Sequence, residues 1–216
     1  MRVGRASIDD AAAETHCRTF LDVLIRARID GRRDDLVALT RDLIGIPTLN
    51  PPGAEYRTIC EFLEARLSAS GFRCELIRAH GTPGDSERYP RWNIVARREG
   101  ARPGECVHFN SHTDVVEIGH DWTVDPFAGE VRDGRVYGRG SCDMKGGLAA
   151  SIIAAEAFLA ERPDFAGAIE ISGTADEESG GYGGVAYLAE QGHFAPDRVQ
   201  HVIIPEPLNK DRICLG

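Results

Sequence analysis

Val107 to Gly147 reads VHFNSHTDVVEIGHDWTVDPFAGEVRDGRVYGRGSCDMKGG, and the rest of the chain is arranged around it. An apolar run containing Val107 and Phe109 ends in His112 and Asp114. In an extended backbone, residues two apart project from the same face. One carboxylate can therefore serve the imidazole. A metal-bound histidine usually gives its other ring N–H to an acceptor that fixes its tautomer, and Asp114 is a candidate for that role. A second carboxylate, Asp143, follows a segment punctuated by Gly134, Gly138 and Gly140 and precedes a helix-like stretch that opens at Lys145. That position suits a ligand held on a tight turn.

Outward from this stretch the same pattern recurs. The strand-like run AIEISGTA, residues 168–175, leads into Asp176, Glu177, Glu178, Ser179, Gly180 and Gly181. The strand-like VQHVIIP ends in Glu206 and Pro207. Three apolar runs thus each end in imidazole or carboxylate. In open α/β sheets, ligands sit in the crevice beyond the carboxyl ends of the strands. Imidazole and carboxylates without thiolate suit zinc, and also manganese or cobalt.

The segments NSHTDVV, WTVDPF, GRVYGRGSCDMKGG, TADEESGG and IIPEP resemble, in order and spacing, the acetylornithine deacetylase/succinyl-diaminopimelate desuccinylase family of dinuclear metallohydrolases. Related carboxypeptidases and aminoacylases share that resemblance, which runs from about Arg33 to Gly216 and corresponds to the first part of a family member. It implies two divalent ions, zinc first, with cobalt or manganese as alternatives. One ion falls to His112 and Glu206 and the other to Glu178, with Asp143 bridging them. It also implies a cis Asp143–Met144 peptide, a metal-bridging water, Glu177 as general base and Asp114 behind His112. The expected activity is hydrolysis of an N-acyl amino acid or similar small-molecule amide. An aminopeptidase, a carboxypeptidase, a hydrolytic deaminase and a non-catalytic metal-binding module are the alternatives. The family completes its second metal with a distal histidine and carries a smaller dimerisation domain after the Glu206 strand. Neither lies within residues 1–216, so a homodimer or a complementing C-terminal polypeptide is the implied partner.

Composition narrows the classes further. The 216 residues are 42% hydrophobic, enough to bury one core, and the net charge of -9 argues against nucleic acid or an anionic membrane as partner, since both call for a clustered basic surface. No apolar run approaches the roughly 20 residues of a membrane span, and MRVGRASIDDAAA has no signal-peptide hydrophobic region, which points to the cytoplasm. The six cysteines are scattered without a C-x-x-C pair, so a thiolate zinc site or a disulfide framework is not expected.

Helical and strand patterns alternate along the chain. An N-terminal helical extension, residues 1–32, carries Phe20, Leu21, Leu24 and Ile25 at helical spacing. The catalytic unit, residues 33–216, begins with a helix bearing Leu36, Leu39, Leu43 and Ile44 that stops before Pro47. A second helix runs from about Glu55 to Ser70 with Gly71 as its capping glycine. Residues 80–90 read as a solvent loop. WNIVARRE and ECVHFNS read as neighbouring strands joined by a turn, with His108 a packing or hydrogen-bonded residue. GGLAASIIAAEAFLAE reads as a buried helix whose amino terminus faces the site, and a further helix spans about Tyr182 to Gln191. The expected fold is α/β: a mostly parallel central sheet with helices on both faces.

Overall fold

The computed structural model describes residues 21–208. Residues 21–30 are helical, and the remainder of the expected N-terminal helix lies outside the described residues. Helix α1, Arg33–Ile44, buries Leu39, Leu43 and Ile44, with Asp34 and Asp35 in its first turn, where they complement the positive end of the helix dipole. Helix α2, Tyr56–Ala69, buries Ile59, Cys60, Leu63 and Leu67. At its end Gly71 takes φ +81, and the Phe72 N–H bonds the Leu67 carbonyl at 3.0 Å. This is the left-handed glycine stop expected from the sequence.

Five strands form the main sheet: β1 (Arg73–Arg78), β2 (Trp92–Glu99), β3 (Arg102–His112), β6 (Ala166–Thr174) and β7 (His201–Ile203). Their spatial order is β1-β2-β6-β3-β7. Strand β2 runs antiparallel to β1 and β6, whereas β6, β3 and β7 are mutually parallel, so four of the five strands share one direction. A small antiparallel hairpin pairs β4 (Glu130–Arg132) with β5 (Arg135–Tyr137). Its two-residue loop, Asp133-Gly134, has positive φ at both positions, as a type I′ turn requires.

Helix α3, Lys145–Glu161, buries Leu148, Ala149, Ile152, Ile153 and Ala155. It shares one core with α1, α2 and the sheet residues Ile94, Ala96, Ile169 and Ile171. The alternate residues of the sheet face the other way. There Asn93 Nδ2 donates to the Gly183 carbonyl at 2.8 Å, and the His108 ring meets Phe194 edge-on. That face is covered by a short irregular segment, a wide turn at Tyr182–Ala186 followed by α4, Tyr187–Glu190, and not by the single helix expected over 182–191. Gly184 has non-helical backbone angles, and a Cβ there would meet the Ala175 carbonyl oxygen at 1.8 Å. The segment bends to fit beneath the end of β6.

One expectation about strand order is corrected. β2 and β3 are consecutive in sequence, but β6 lies between them. The connection crosses the start of β6, where the Gly100 N–H bonds the Gly167 carbonyl and the Ala101 N–H bonds the Phe165 carbonyl, both at 2.8 Å. Pro103 and Gly104, which lie between WNIVARRE and ECVHFNS in the sequence, belong to β3 and not to a turn. Glycine permits the crossing: a Cβ on Gly167 would lie 2.0 Å from the Glu105 carbonyl oxygen. Gly167 and Gly81 both have positive φ, but nothing lies within 4 Å of a Cβ at Gly81. Gly81→Ala should therefore cost about 1–2 kcal/mol from the left-handed backbone alone. Gly167→Ala adds overpacking and should cost about 2–5 kcal/mol in total. Urea denaturation of both variants measures the difference, and equal losses would refute the close crossing.

Candidate metal centre

Parallel strands β3 and β6 end side by side, with His112 opposite Thr174. Their following loops therefore start from one edge of the sheet. His112 is buried, and its Nδ1 donates to the Asp114 backbone carbonyl at 3.0 Å, which fixes the tautomer. The other nitrogen, Nε2, faces the carboxylates. It stands 2.9 Å from Asp143 Oδ1, 3.8 Å from Glu177 Oε2 and 3.8 Å from Glu206 Oε2. Ligand atoms of His112, Asp143 and Glu206 all lie within 4.8 Å of one another.

The local sequence explains how these groups arrive. Asp143 stands two residues before α3, and its peptide bond to Met144 is cis, as the resemblance implied. The Met144 sulfur accepts the His112 backbone N–H at 3.2 Å, linking the two ligand-bearing segments. Glu206 follows β7 and lies near the start of α3 because Gly147 lets the chains approach: a Cβ there would meet the Pro205 carbonyl oxygen at 2.5 Å. Close packing at Gly147 thus also delivers a site residue.

Asp114 is placed differently from the expectation. Its Oδ1 stands 3.6 Å from His112 Nδ1, beyond hydrogen-bond length, and the ring is served instead by the Asp114 main-chain carbonyl. The Asp114 carboxylate accepts the backbone N–H groups of Glu177 (3.2 Å) and Glu178 (3.1 Å) and the Asn50 side-chain amide (2.9 Å). It holds the acidic turn Glu177–Ser179 from below. Burial alone would raise its pKa. The neighbouring His112 ring, the Asn50 amide and the Glu178 N–H outweigh burial and keep it below the usual carboxylate range.

The charge balance of the cluster is one-sided. Among the described residues, no lysine or arginine pairs with Asp143, Glu177, Glu178 or Glu206. Lys145, the nearest lysine in sequence, turns away: its buried Nζ donates to the Leu43 and Ile46 carbonyls at the end of α1, at 2.9 and 2.7 Å. Burial pushes Lys145 down to about 7. Glu206 is pushed up to about 7 by burial and by its hydrogen bond and charge interaction with Asp143. Glu178 is raised as well, by burial first and then by Asp143. Burial works against a charged His112, yet the Asp114, Asp143 and Glu206 carboxylates prevail and lift it to about 9. One imidazole ringed by mutually repelling carboxylates is the donor set a hard or borderline divalent cation would neutralise.

Glu178 lies outside the three-residue group but feels the charge of Asp143. His108 is the hydrogen-bonded residue expected, with Nδ1 2.7 Å from Glu170 and Nε2 2.8 Å from Ser172. His80 and His120 are exposed. Cys142 is exposed and free, and Cys60, Cys74 and Cys106 are also free, whereas Cys17 and Cys214 lie outside the described residues.

Three supporting residues escaped sequence reasoning. The Tyr56 hydroxyl accepts the Asp176 N–H at 3.0 Å, and Arg91 Nε lies 3.0 Å from Asp176 Oδ1 with both side chains buried. Asn50 reaches Asp114 from the loop after α1. Arg91 ends a polar loop and carried no signal. Asn50 stood in PTLNPPG, where an asparagine before two prolines marks a shaped loop.

Residues 108–215, half of the chain, match the model for Peptidase family M20/M25/M40. The chain is 41% identical over 175 residues to succinyl-diaminopimelate desuccinylase 2 of Ruegeria sp. (strain TM1040), covering 80% of this chain and 41% of that protein. It is also 41% identical over 180 residues to succinyl-diaminopimelate desuccinylase of Beijerinckia indica, covering 79% of this chain and 43% of that one. It therefore spans about two-fifths of the length of these curated relatives. The fold is that of human carnosine dipeptidase 1, with a TM-score of 0.73 at 24% identity over 87% of this chain and 41% of that chain. A Bacillus subtilis dinuclear metal binding peptidase from the M20 family superposes with a TM-score of 0.53 at 18% identity, over 81% of this chain and 43% of that one. With a family model over half its length and relatives at 41% identity, the chain belongs to peptidase family M20/M25/M40.

Proposed function

We propose that this chain is the metal-binding part of a divalent-metal-dependent hydrolase of amide bonds, acting on an N-acyl amino acid or similar substrate. The observation that carries this reading is the convergence of His112, Asp143 and Glu206, with Glu177 3.8 Å from the same imidazole nitrogen. Zinc is the first candidate for the metal, with cobalt or manganese as alternatives. The names of the 41%-identical relatives make an N-succinyl amide the first substrate to assay.

His112, Asp143 and Glu206 would hold one ion, and Glu178 with a shared Asp143 would hold the other. Bound divalent ions supply Lewis acidity at a carbonyl oxygen and make water more acidic. Glu177, half-exposed at the rim, takes a proton from the attacking water and returns it to the leaving amine. Asp114 aims Glu177 and Glu178 by holding their backbone N–H groups. The first ion would have three ligands among the described residues and the second two. After extensive dialysis, metal analysis should find one ion held firmly and the second weakly or not at all. Two tightly held ions with brisk turnover by the 216-residue chain would overturn this view of its ligand set.

In a complete, active form, Glu177→Gln should keep both ions and lose turnover by about 10²–10⁴-fold, the usual contribution of a general base. Glu178→Gln should instead weaken one ion. Equal metal loss in both variants would show the two roles to be misassigned.

Protonation offers a further test. His112 moves from an ordinary 6.5 to about 9 in the metal-free fold. Raised above its unfolded value, it contributes stability that is complete below pH 6.5 and lost as pH rises through 9. The shift corresponds to about 3 kcal/mol. Glu206, also raised, acts in the same direction. Chelator-treated protein should therefore unfold at lower urea at pH 9 than at pH 6, and His112→Ala should flatten that dependence. Near pH 7.5, zinc binding should release about one proton from His112, readable by calorimetry in buffers of different ionisation enthalpy.

A further inference from the structure

The loop between α1 and α2 holds a buried amide with no part in the proposed chemistry. Asn50 is 1% exposed. Its loop is laced to the strand that delivers His112: the Val115 N–H bonds the Thr48 carbonyl at 3.0 Å, the Asn50 N–H bonds the Val115 carbonyl at 2.9 Å, and Thr48 Oγ1 bonds the Thr113 carbonyl at 2.5 Å. The side chain is thereby fixed where two loops meet. Nδ2 spends both hydrogens, one on Asp114 Oδ2 at 2.9 Å and one on Ser179 Oγ at 2.8 Å. The orientation of the amide follows from chemistry, because an ionised carboxylate only accepts and the atom facing Asp114 must be the nitrogen. Oδ1 is consequently buried without a partner.

That orphan oxygen is informative. A buried unsatisfied acceptor is destabilising, and an apolar side chain of the same shape would avoid the penalty. The asparagine is therefore explained by its two donors and by what they hold. Asp114 and Ser179 bracket the turn Glu177–Ser179: the first accepts the Glu177 and Glu178 N–H groups, and the second closes the turn through its N–H to the Asp176 carbonyl at 3.1 Å.

We propose that Asn50 is a positioning residue that acts through Asp114 and Ser179 to set the direction in which Glu177 and Glu178 leave their turn. The inference rests on the reading of those glutamates as base and ligand. It makes the loop after α1 a working part of the site, although that loop contributes none of the cluster's carboxylates.

Asn50→Leu removes both donors and the orphan acceptor while keeping the volume, and Ser179→Ala removes the far contact together with the 3.5 Å bond from Ser179 Oγ to the Asp176 carbonyl. Amide hydrogen exchange in the metal-free chain, resolved to residues, is the first readout. Both variants should speed exchange at Glu177 and Glu178, Asn50→Leu by about tenfold or more, the measure of a lost hydrogen bond to a charged group, while amides of α3 and β6 keep wild-type rates. The visible absorption that grows as cobalt(II) is added beyond one equivalent, which reads an ion on Glu178, is the second readout, and it should weaken in both variants while the absorption of the first ion, on His112, Asp143 and Glu206, is kept. Unchanged exchange at the two glutamates, acceleration spread over the whole fold, or loss of the first ion's cobalt absorption along with the second's would each overturn the proposal. Should Asn50→Leu fail to fold, Ser179→Ala decides by the same criteria. A wild-type chain that binds cobalt no better than His112→Ala would sink the metal reading instead, and the exchange data would still decide whether Asn50 holds the turn.

Discussion

A single buried carboxylate ties the two halves of the site together. Asp114 follows the strand that carries His112, yet its oxygens are engaged by the backbone of the turn that carries Glu177 and Glu178. Two loops that begin on adjacent parallel strands are thereby locked at a fixed separation. Hydrogen bonds from N–H groups to an ionised acceptor are roughly twice as strong as neutral ones. In a buried setting they are also shielded from competing water. A turn held this way can present two glutamates to a cleft without a hydrophobic anchor of its own.

The same arrangement works against stability in the metal-free fold. Asp143, Glu177 and Glu206 gather around one imidazole, Glu178 feels the charge of Asp143, and the nearest lysine in sequence is directed to the end of α1 instead. The raised pKa of Glu206 expresses that repulsion, and the raised pKa of His112 the partial relief that a protonated ring supplies. The rest of the molecule supports it with an ordinary core: α1, α2 and α3 packed on the apolar face of the sheet. Strain of this kind, carried at a site and supported elsewhere, is what a group of ligands awaiting a cation should show.

The second face of the sheet is organised by charge. Glu170, fully buried on β6, meets His108, Arg97 and Arg198. Breaking such a buried pair leaves a charge without a partner, which is far costlier than the pair itself is worth. The network therefore specifies the register of β6 against β2 and β3. That register brings Thr174 opposite His112, and with it the acidic turn next to the imidazole.

Much of this was legible in the residues alone. Helical periodicity located α1 and α2 because each buries one repeating face, a run rich in Ala, Leu and Ile located the largely buried α3, and the left-handed glycine at Gly71 stopped α2 where a Cβ would be unfavourable. The ligand types and their positions at strand ends were equally plain, since an apolar run that ends in His112, in the Glu177–Glu178 pair or in Glu206 is a local pattern. Strand order was not. Periodicity describes a residue's own neighbours, whereas β6 enters between β2 and β3 through hydrogen bonds formed across more than sixty positions, at a crossing that Gly100 and Gly167 make possible. The work of Asp114 was hidden for the same reason. Its spacing from His112 suggested a partner two residues away, but a carboxylate bonds whatever donors the fold presents, and here those are the amides of Glu177 and Glu178 and the side chain of Asn50. The sequence by itself determined which chemical groups could meet a metal and which faces would be buried. Only the tertiary structure decided which groups hold the others in position, because hydrogen-bond partners distant in sequence are chosen by the packing of the whole chain.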